Sequence, residues 1–432
     1  MKKMYLTSAV LAAILAVSMT GCGTKSNTGS TASNTQSVIT AQEDSADTAD
    51  AAVNADASGS YEVVAMAQTA AADDAANSEL FTSRDLAQTA DTSEAQNITV
   101  SDGQTIDITA EGVYVISGSA QNCTIRVNAD ENAKVQLVLD GVSITNSDFP
   151  AIYVISADKV FVTTTDSENT LTVSGQFTAD GETNTDAVIF SKDDLVLNGT
   201  GTLNIVSNSG NGVTSKDDMK ITGGTYNVTC ALDAFEANDS ISVCDGVFTV
   251  NTSKDGFHCE NDEAEGTITI TGGTFTINAG SDGMQACALL QIDGGSMTVT
   301  GSEGLEATYV LINGGTINIT ASDDGINAST GTNAYETAIE INGGDLTVAV
   351  GQGDTDAIDS NGSIYVNGGT INITAQMSSF DYDKTAEFNG GTIIINGQEV
   401  TEIPQSMMGG GMGGMNGMNG RGGMGGGRGR SF

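Results

Sequence analysis

Six acidic residues recur at one offset in a short repeated pattern: Asp233, Asp255, Asp282, Glu303, Asp324 and Asp356. Each opens a stretch of the form acid-Gly/Ala-apolar-x-small, as in Asp255-Gly-Phe-His-Cys and Asp324-Gly-Ile-Asn-Ala, and Asp186-Ala-Val reads as an earlier copy. Three residues further on stand Glu236, His258, Gln285, Glu306, Asn327 and Asp359. If successive copies stack as neighbouring strands, these residues form two columns with a spacing of roughly 4.8 Å. Two carboxylates about 5 Å apart repel by roughly 3 kcal/mol at an effective dielectric near 20. A column of them must hold protons or bind cations.

The donors on offer are oxygens: carboxylate, Asn and Gln carbonyl, and backbone. That set suits Ca²⁺, which accepts several oxygens in flexible geometry. The expected metal ligands are Asp233, Glu236, Asp255, Asp282, Glu303, Glu306, Asp324, Asp356 and Asp359, in two or more sites rather than one per copy. Any single Asp before Gly is also ordinary turn chemistry, so the expectation rests on the column as a whole. The acids of Ser191-Lys-Asp-Asp-Leu and Ser215-Lys-Asp-Asp-Met stack too, but Lys192 and Lys216 beside them point to a structural role. With His258 the sole histidine, a Cys/His zinc site is not expected.

The elements that must position these acids follow from the repeat. Ile270-Thr-Gly-Gly-Thr-Phe-Thr-Ile, Ile312-Asn-Gly-Gly-Thr-Ile-Asn-Ile and Val366-Asn-Gly-Gly-Thr-Ile-Asn-Ile are three of its copies. The second glycines fall at 224, 246, 273, 295, 315, 344, 369 and 391, so the step is about 22 residues, with longer steps marking insertions. Apolar and polar residues alternate with period two, no helical period appears, and Pro occurs only at 150 and 404. Sandwiches and propellers would show hairpin turns. The expected fold is all-β: a right-handed parallel β-helix, a solenoid of about 22 residues per rung. It is regular from about 185. Residues 96–184 carry strand patterns such as Val135-Gln-Leu-Val-Leu without Gly-Gly, and are read as irregular N-terminal rungs of a domain spanning 96–403.

Outside that domain the chain changes character. Lys2 and Lys3, the apolar run from Leu6 to Val17, and Met19-Thr-Gly-Cys22 read as a signal peptide over 1–22. Its end resembles the lipobox of bacterial lipoproteins, which implies lipidation of Cys22 and membrane attachment through that lipid on the cell surface. Residues 23–95 are rich in Ser, Thr, Ala, Asn and Asp and are expected to be a disordered linker, with Val63, Val64, Leu80 and Phe81 free to dock locally. The Gly/Met/Arg tail over 404–432 lacks any period and is likewise expected to be disordered. The other five cysteines, Cys123, Cys230, Cys244, Cys259 and Cys287, are an odd number and are expected as buried free thiols. The net charge of −40 comes from 55 acidic against 15 basic residues. A domain so short of Lys and Arg can neutralise few phosphates, so nucleic acid is excluded as a partner.

The Ile-Asn-Gly-Gly-Thr-Ile-Asn-Ile and Asp-Gly-Ile-Asn-Ala repeats, behind a lipobox and a Ser/Thr linker, resemble the clostridial cell-surface carbohydrate-binding β-helix family related to polysaccharide lyases. The resemblance covers roughly 98–402. It implies a calcium-binding surface protein that takes cellulose and pectin-type acidic polysaccharide, and its residue-level content is the stacked acids alone. It supplies no sugar-contacting residues. There is no Trp, so Tyr335, Phe380 and Tyr382 are the candidate aromatic platforms.

Three functions remain in play. The first is non-catalytic polysaccharide binding with Ca²⁺ bridging the protein's acids to uronates. The second is a Ca²⁺-dependent lyase, for which Lys254 is the one lysine adjoining the acid column and Lys384 a distant second. The third is an adhesive surface spacer. A single lysine without a partner Arg assigns no catalytic residue, and the binding reading is favoured.

Overall fold

A computed structural model describes residues 80–261, 265–353 and 355–404. Cys22 and the signal peptide, the linker up to residue 79 and the tail beyond 404 lie outside the described residues. The described chain is an all-β solenoid of about 12 turns with parallel strands roughly 24 residues apart. Its 32 strands form one continuous hydrogen-bonded network.

Each regular rung contributes three strands, and so the coil has three sheets. In one rung Phe235–Ala237 is the first strand, and Ser240–Thr252 bends at Asp245-Gly246 to provide the second and third. Phe257–Cys259, Thr267–Ile270 and Thr274–Asn278 repeat them in the next rung. Phe235 lies opposite Phe257, Ile241 opposite Ile268 and Phe248 opposite Phe275. The step between stacked residues varies from 18, where Tyr114 follows Gln96, to 37, where Ile189 follows Ile152. Loops absorb the difference without breaking register.

The Gly-Gly signature is the corner between the second and third strands. Its second glycine has a positive φ in every copy, 105° at Gly273 for example, a region that an L side chain enters only with strain. Earlier rungs turn the same corner with single glycines, Gly118 and Gly199 at φ 98° and 117°, and so lack the signature while joining the same coil. Asn and Asp side chains stack beside the later corners. Asn313 donates to Asp293 Oδ1 at 2.7 Å, Asn342 to Asn313 Oδ1 at 2.8 Å, and Asn367 to Asn342 Oδ1 at 2.8 Å.

Alternation places one face of each strand inside. In Thr274–Asn278 the residues Phe275 and Ile277 are buried and their neighbours exposed. Tyr226, Phe248 and Phe275 stack face to face with centroids 5.4 and 4.6 Å apart, and Phe235 and Phe257 do so at 4.7 Å. Burying one such side chain contributes about 1.5–3 kcal/mol. The coil closes on an antiparallel hairpin, Thr392–Ile395 with Gln398–Val400, turning through Asn396 and Gly397 at φ 52° and 79°.

One expectation needs correction at its edge. Residues 80–88, assigned to the disordered linker, are a strap packed on the outer wall. Phe81 is buried, and the Asp85 side chain is fully so, with Lys159 Nζ 3.7 Å from it. Asn198 Nδ2 and Thr222 Oγ1 donate to the Asp85 carbonyl at 3.2 and 2.5 Å, and Gln88 Nε2 donates to the Thr222 carbonyl at 2.8 Å. The Arg84 guanidinium lies 4.5 Å over the Phe161 ring. Polar composition concealed this because the strap is held mainly through hydrogen bonds to the wall.

Candidate functional site

Both expected columns form. Register sets Glu236 beside His258, then Gln285, Glu306, Asn327 and Asp359 in order. Two residues before the buried apolar position of each strand stand Asp233, Asp255, Asp282, Glu303, Asp324 and Asp356. Asp186 is out of step: Ala187 lies opposite Asn211, so Asp186 precedes the column by one residue. Asn211 heads the first column and Asp381 extends the second below Asp359. Both escaped the sequence reading because Asn211-Gly-Val-Thr-Ser and Ser378-Ser-Phe-Asp-Tyr keep the template without its leading acid.

The first column is also a hydrogen-bond ladder. The amide of Asp233 donates to Asn211 Oδ1 at 2.9 Å, that of Asp255 to Asp233 Oδ1 at 3.0 Å, and that of Asp282 to Asp255 Oδ1 at 3.0 Å. Further along, the Asp356 amide donates to Asp324 Oδ1 at 2.8 Å. These acids therefore share the turn role that weighed against them singly. One oxygen each of Asp233, Asp255 and Asp324 is engaged by backbone, which leaves the second for other work.

Electrostatics divides the columns. In the upper part the chain brings its own cations. Lys254 Nζ is 2.8 Å from Asp233 Oδ2 and 3.8 Å from Asp255 Oδ2, and His258 Nδ1 is 3.6 Å from Asp233 Oδ2. Burial would raise the Asp233 carboxyl, but His258 and Lys254 outweigh it and hold the group at about 2. Lys216 Nζ reaches Glu236 at 3.2 Å, turning away from the Asp217 and Asp218 it was expected to offset. Without it, burial and then Asp194, Asp218 and Asp239 push Asp217 up to about 6.

In the lower part Asp282, Glu303 and Asp359 show no such compensation among the described residues. Burial, then Asp255 and Glu306, push Asp282 up to about 7. Burial and Glu306 push Glu303 up to about 8, against a bond from Asn327 Nδ2 at 3.0 Å. Asp359 rises to about 7 through burial and then Asp324, Asp356, Asp381 and Asp383. Among the described residues no Lys, Arg or His pairs with Asp282, Glu303 or Asp359. Glu306 is held by neutral donors, Gln285 Nε2 at 2.6 Å and Ser329 Oγ at 2.7 Å.

Among the described residues two groups each gather their donor atoms within 4.8 Å: Asp233, Asp255 and His258, and Asp194, Asp217 and Asp218. The first group lies against the Lys254 ammonium, 2.8 Å from Asp233 and 3.8 Å from Asp255, a cation that competes with a metal ion there. The oxygens of Asp282, Glu303 and Glu306 are more dispersed, yet theirs is the chemistry that fits a divalent ion: carboxylates and a Gln carbonyl, with no competing cation among the described residues.

A groove runs along the second column. A pocket of about 110 Å³ is lined by His258, Gln285, Cys287, Glu306, Thr308 and Ser329. A polar trough of about 590 Å³ adjoins it, lined by Lys216, Glu236, Asn238 and Asp239, with His258 and Glu260 shared between the two. The family model described as carbohydrate-binding domain-containing protein matches residues 102–356 and 299–401, most of the described chain. The chain belongs to this carbohydrate-binding domain family.

A carbohydrate-binding domain-containing protein of Acetivibrio thermocellus is 35% identical over 128 residues, 28% of this chain. The match spans 44% of that relative's length. A solved structure, a gadolinium derivative of the polysaccharide lyase-like protein from C. thermocellum, is 24% identical with a TM-score of 0.33, covering 70% of this chain and 97% of its own.

Within this carbohydrate-binding domain the aromatic candidates separate. Phe380 is fully buried opposite Ile358, a core residue and not a platform. Tyr382 is half-buried, and Tyr335 is 40% exposed. Burial alone would lower the Lys254 ammonium, but its bond to Asp233 prevails and holds it above its usual value, the wrong direction for a base. The five described cysteines are all free, with Cys123, Cys230 and Cys259 buried and Cys244 and Cys287 half-buried.

Proposed function

We propose that this carbohydrate-binding domain holds polysaccharide non-catalytically at the cell surface, with Ca²⁺ bound by the lower half of the acid columns. The observation that carries the reading is that the buried Asp282 and the half-buried Glu303 and Asp359 are pushed above the usual carboxylate range with no cationic side chain paired to them among the described residues. One site would use Asp282, Glu303 and Glu306, with Gln285 adjacent, and a second Asp324, Asp356 and Asp359. Bound there, Ca²⁺ neutralises the columns and gives uronate carboxylates a cation to meet, where the bare protein would repel them. Asp233, Glu236 and Asp255 fall outside these sites because Lys254, His258 and Lys216 already serve them.

The surface location rests on Met19-Thr-Gly-Cys22, with Cys22 carrying the lipid that anchors the protein to the membrane. A lyase needs a neutral base by the metal, and Lys254 is held as an ammonium by Asp233. Affinity electrophoresis through gels cast with polygalacturonate, with CaCl₂ or EDTA, tests the proposal. Retardation that EDTA abolishes is expected, and equal mobility in every gel overturns it.

A further inference from the structure

On the sheet that leads into the Gly-Gly corners, the outward positions of one rung are Thr267 and Thr269, and the aligned positions of the next two are Leu289 with Gln291 and Tyr309 with Leu311. The polar outer wall thus gains three large apolar side chains, Leu289, Tyr309 and Leu311, over two rungs. Opposite Tyr309 the next rung carries the small Ala338, and the insertion 329–337 lays Tyr335 over the gap. The two rings meet with centroids 6.1 Å apart at an interplanar angle of 44°.

Both rings are held from beneath. The Tyr309 hydroxyl donates to Glu340 Oε2, whose other oxygen accepts from Asn367 Nδ2 at 3.2 Å. The insertion is pinned by Thr308 Oγ1, which accepts the amides of Gly331 and Thr332 at 2.8 and 3.1 Å while donating to the Cys287 carbonyl at 2.8 Å. Thr330 and Thr337 close its neck at 2.7 Å. A well-anchored loop therefore presents Tyr335, the one aromatic side chain among the large hydrophobic residues most exposed in the described chain. A tyrosine so held is rigid and apolar with a polar tip, the kind of side chain enriched at binding surfaces.

We infer that Tyr335, backed by Tyr309, is a stacking platform for a neutral pyranosyl unit of a polysaccharide. The C–H face of a pyranose ring suits the negative face of an aromatic ring, and Glu340 lies where it can accept a sugar hydroxyl. Glu336 and Glu340 flank the platform with like charge, so a uronate is disfavoured there and a neutral sugar is not. Ser329, Thr308 and Gly331 at the base of the insertion also wall the pocket at Glu306, so one polymer chain can reach from platform to groove. The inference rests on the polysaccharide-binding reading and adds to it a metal-independent subsite of different specificity.

The test compares wild type with Tyr335→Ala and Tyr335→Phe by affinity electrophoresis in hydroxyethyl cellulose with EDTA and in polygalacturonate with CaCl₂. Wild type and Tyr335→Phe are expected to be retained by the neutral polymer, with Tyr335→Ala weakened about tenfold there and all three alike on polygalacturonate. Retention of Tyr335→Ala equal to wild type in the neutral gel overturns the inference alone. So does wild type that binds polygalacturonate and no neutral polymer. Wild type retained by neither polymer overturns the polysaccharide reading and this inference with it. Melting curves of the variants in both buffers exclude misfolding, and unchanged curves are expected for an exposed loop residue.

Discussion

The amide of Asp282 donates to Oδ1 of Asp255 at 3.0 Å, the same bond that the amide of Asp233 makes to Oδ1 of Asn211 at 2.9 Å. A neutral amide oxygen therefore performs the structural duty as well as a carboxylate does. The negative charge at Asp255 and Asp282 is surplus to the ladder. Lys254 absorbs it at the top of the column, and nothing among the described residues does so at Asp282 and Glu303.

Stability of the metal-free protein is expected to fall as pH rises. Asp282, Glu303 and Asp359 are held near 7, 8 and 7 in the fold, above the usual carboxylate range. A raised folded value contributes stability that is present below about pH 4 and lost as pH climbs through 7–8. Asp233, lowered to about 2, acts oppositely, and its contribution disappears as pH drops from about 4 towards 2. Melting in EDTA should thus peak near pH 4 and decline from there to about pH 8, with CaCl₂ reversing the decline. Melting temperatures that rise steadily to pH 8.5 in EDTA would show the acids to be compensated.

Asp282→Asn keeps the ladder acceptor and removes the charge. The metal-free variant is expected to melt higher than wild type at pH 8, and to gain less from CaCl₂. Thermal melts at that pH with and without Ca²⁺ measure both. A variant less stable than wild type in EDTA would mean that the carboxylate itself serves the fold.

Lys254→Ala leaves the buried Asp233 with His258 alone. Because Lys254 is 45% exposed at its side chain, solvent screens the pair and a loss of about 1 kcal/mol is expected rather than that of a deeply buried bridge. Chemical denaturation at pH 7 measures it. Incubation of wild type with pectate and Ca²⁺ is expected to produce no unsaturated-uronate absorbance, and its appearance would restore the lyase reading.

Much of the coil was legible because each rung repeats the same physics. Period-two alternation fixed which residues of Thr274–Asn278 face inward, and the positive φ at Gly273 and its equivalents explains the Gly-Gly marker. The columns followed, since stacking converts a repeated offset into a spatial line. Sequence could not show which acids have partners: Lys216 turns to Glu236, and Lys254 reaches a rung back to Asp233. Nor could composition separate Phe380, in the core, from Tyr335, on an insertion whose direction depends on Thr308 one rung away.

The strap over 80–88 gives a prediction of a different kind. A chain beginning at residue 90 is expected to melt lower than one beginning at residue 80, by about 1–3 kcal/mol in stability. Its loss strips Thr222 Oγ1 and Asn198 Nδ2 of the Asp85 carbonyl and uncovers Phe161. Equal melting of the two would mean that the wall is stable uncovered.

The most direct measurement is calorimetric titration of the metal-free protein with CaCl₂ at pH 7 in two buffers of different ionisation enthalpy, for wild type and for Glu303→Gln/Asp359→Asn. Wild type is expected to bind at two or more sites and release protons, since carboxyls held near 7 and 8 must give theirs up to the metal. The double variant is expected to lose both the tight binding and the buffer dependence. Binding that survives in the double variant, or wild type giving no heat of binding at millimolar Ca²⁺, would contradict the assignment of the lower acids as the cation site.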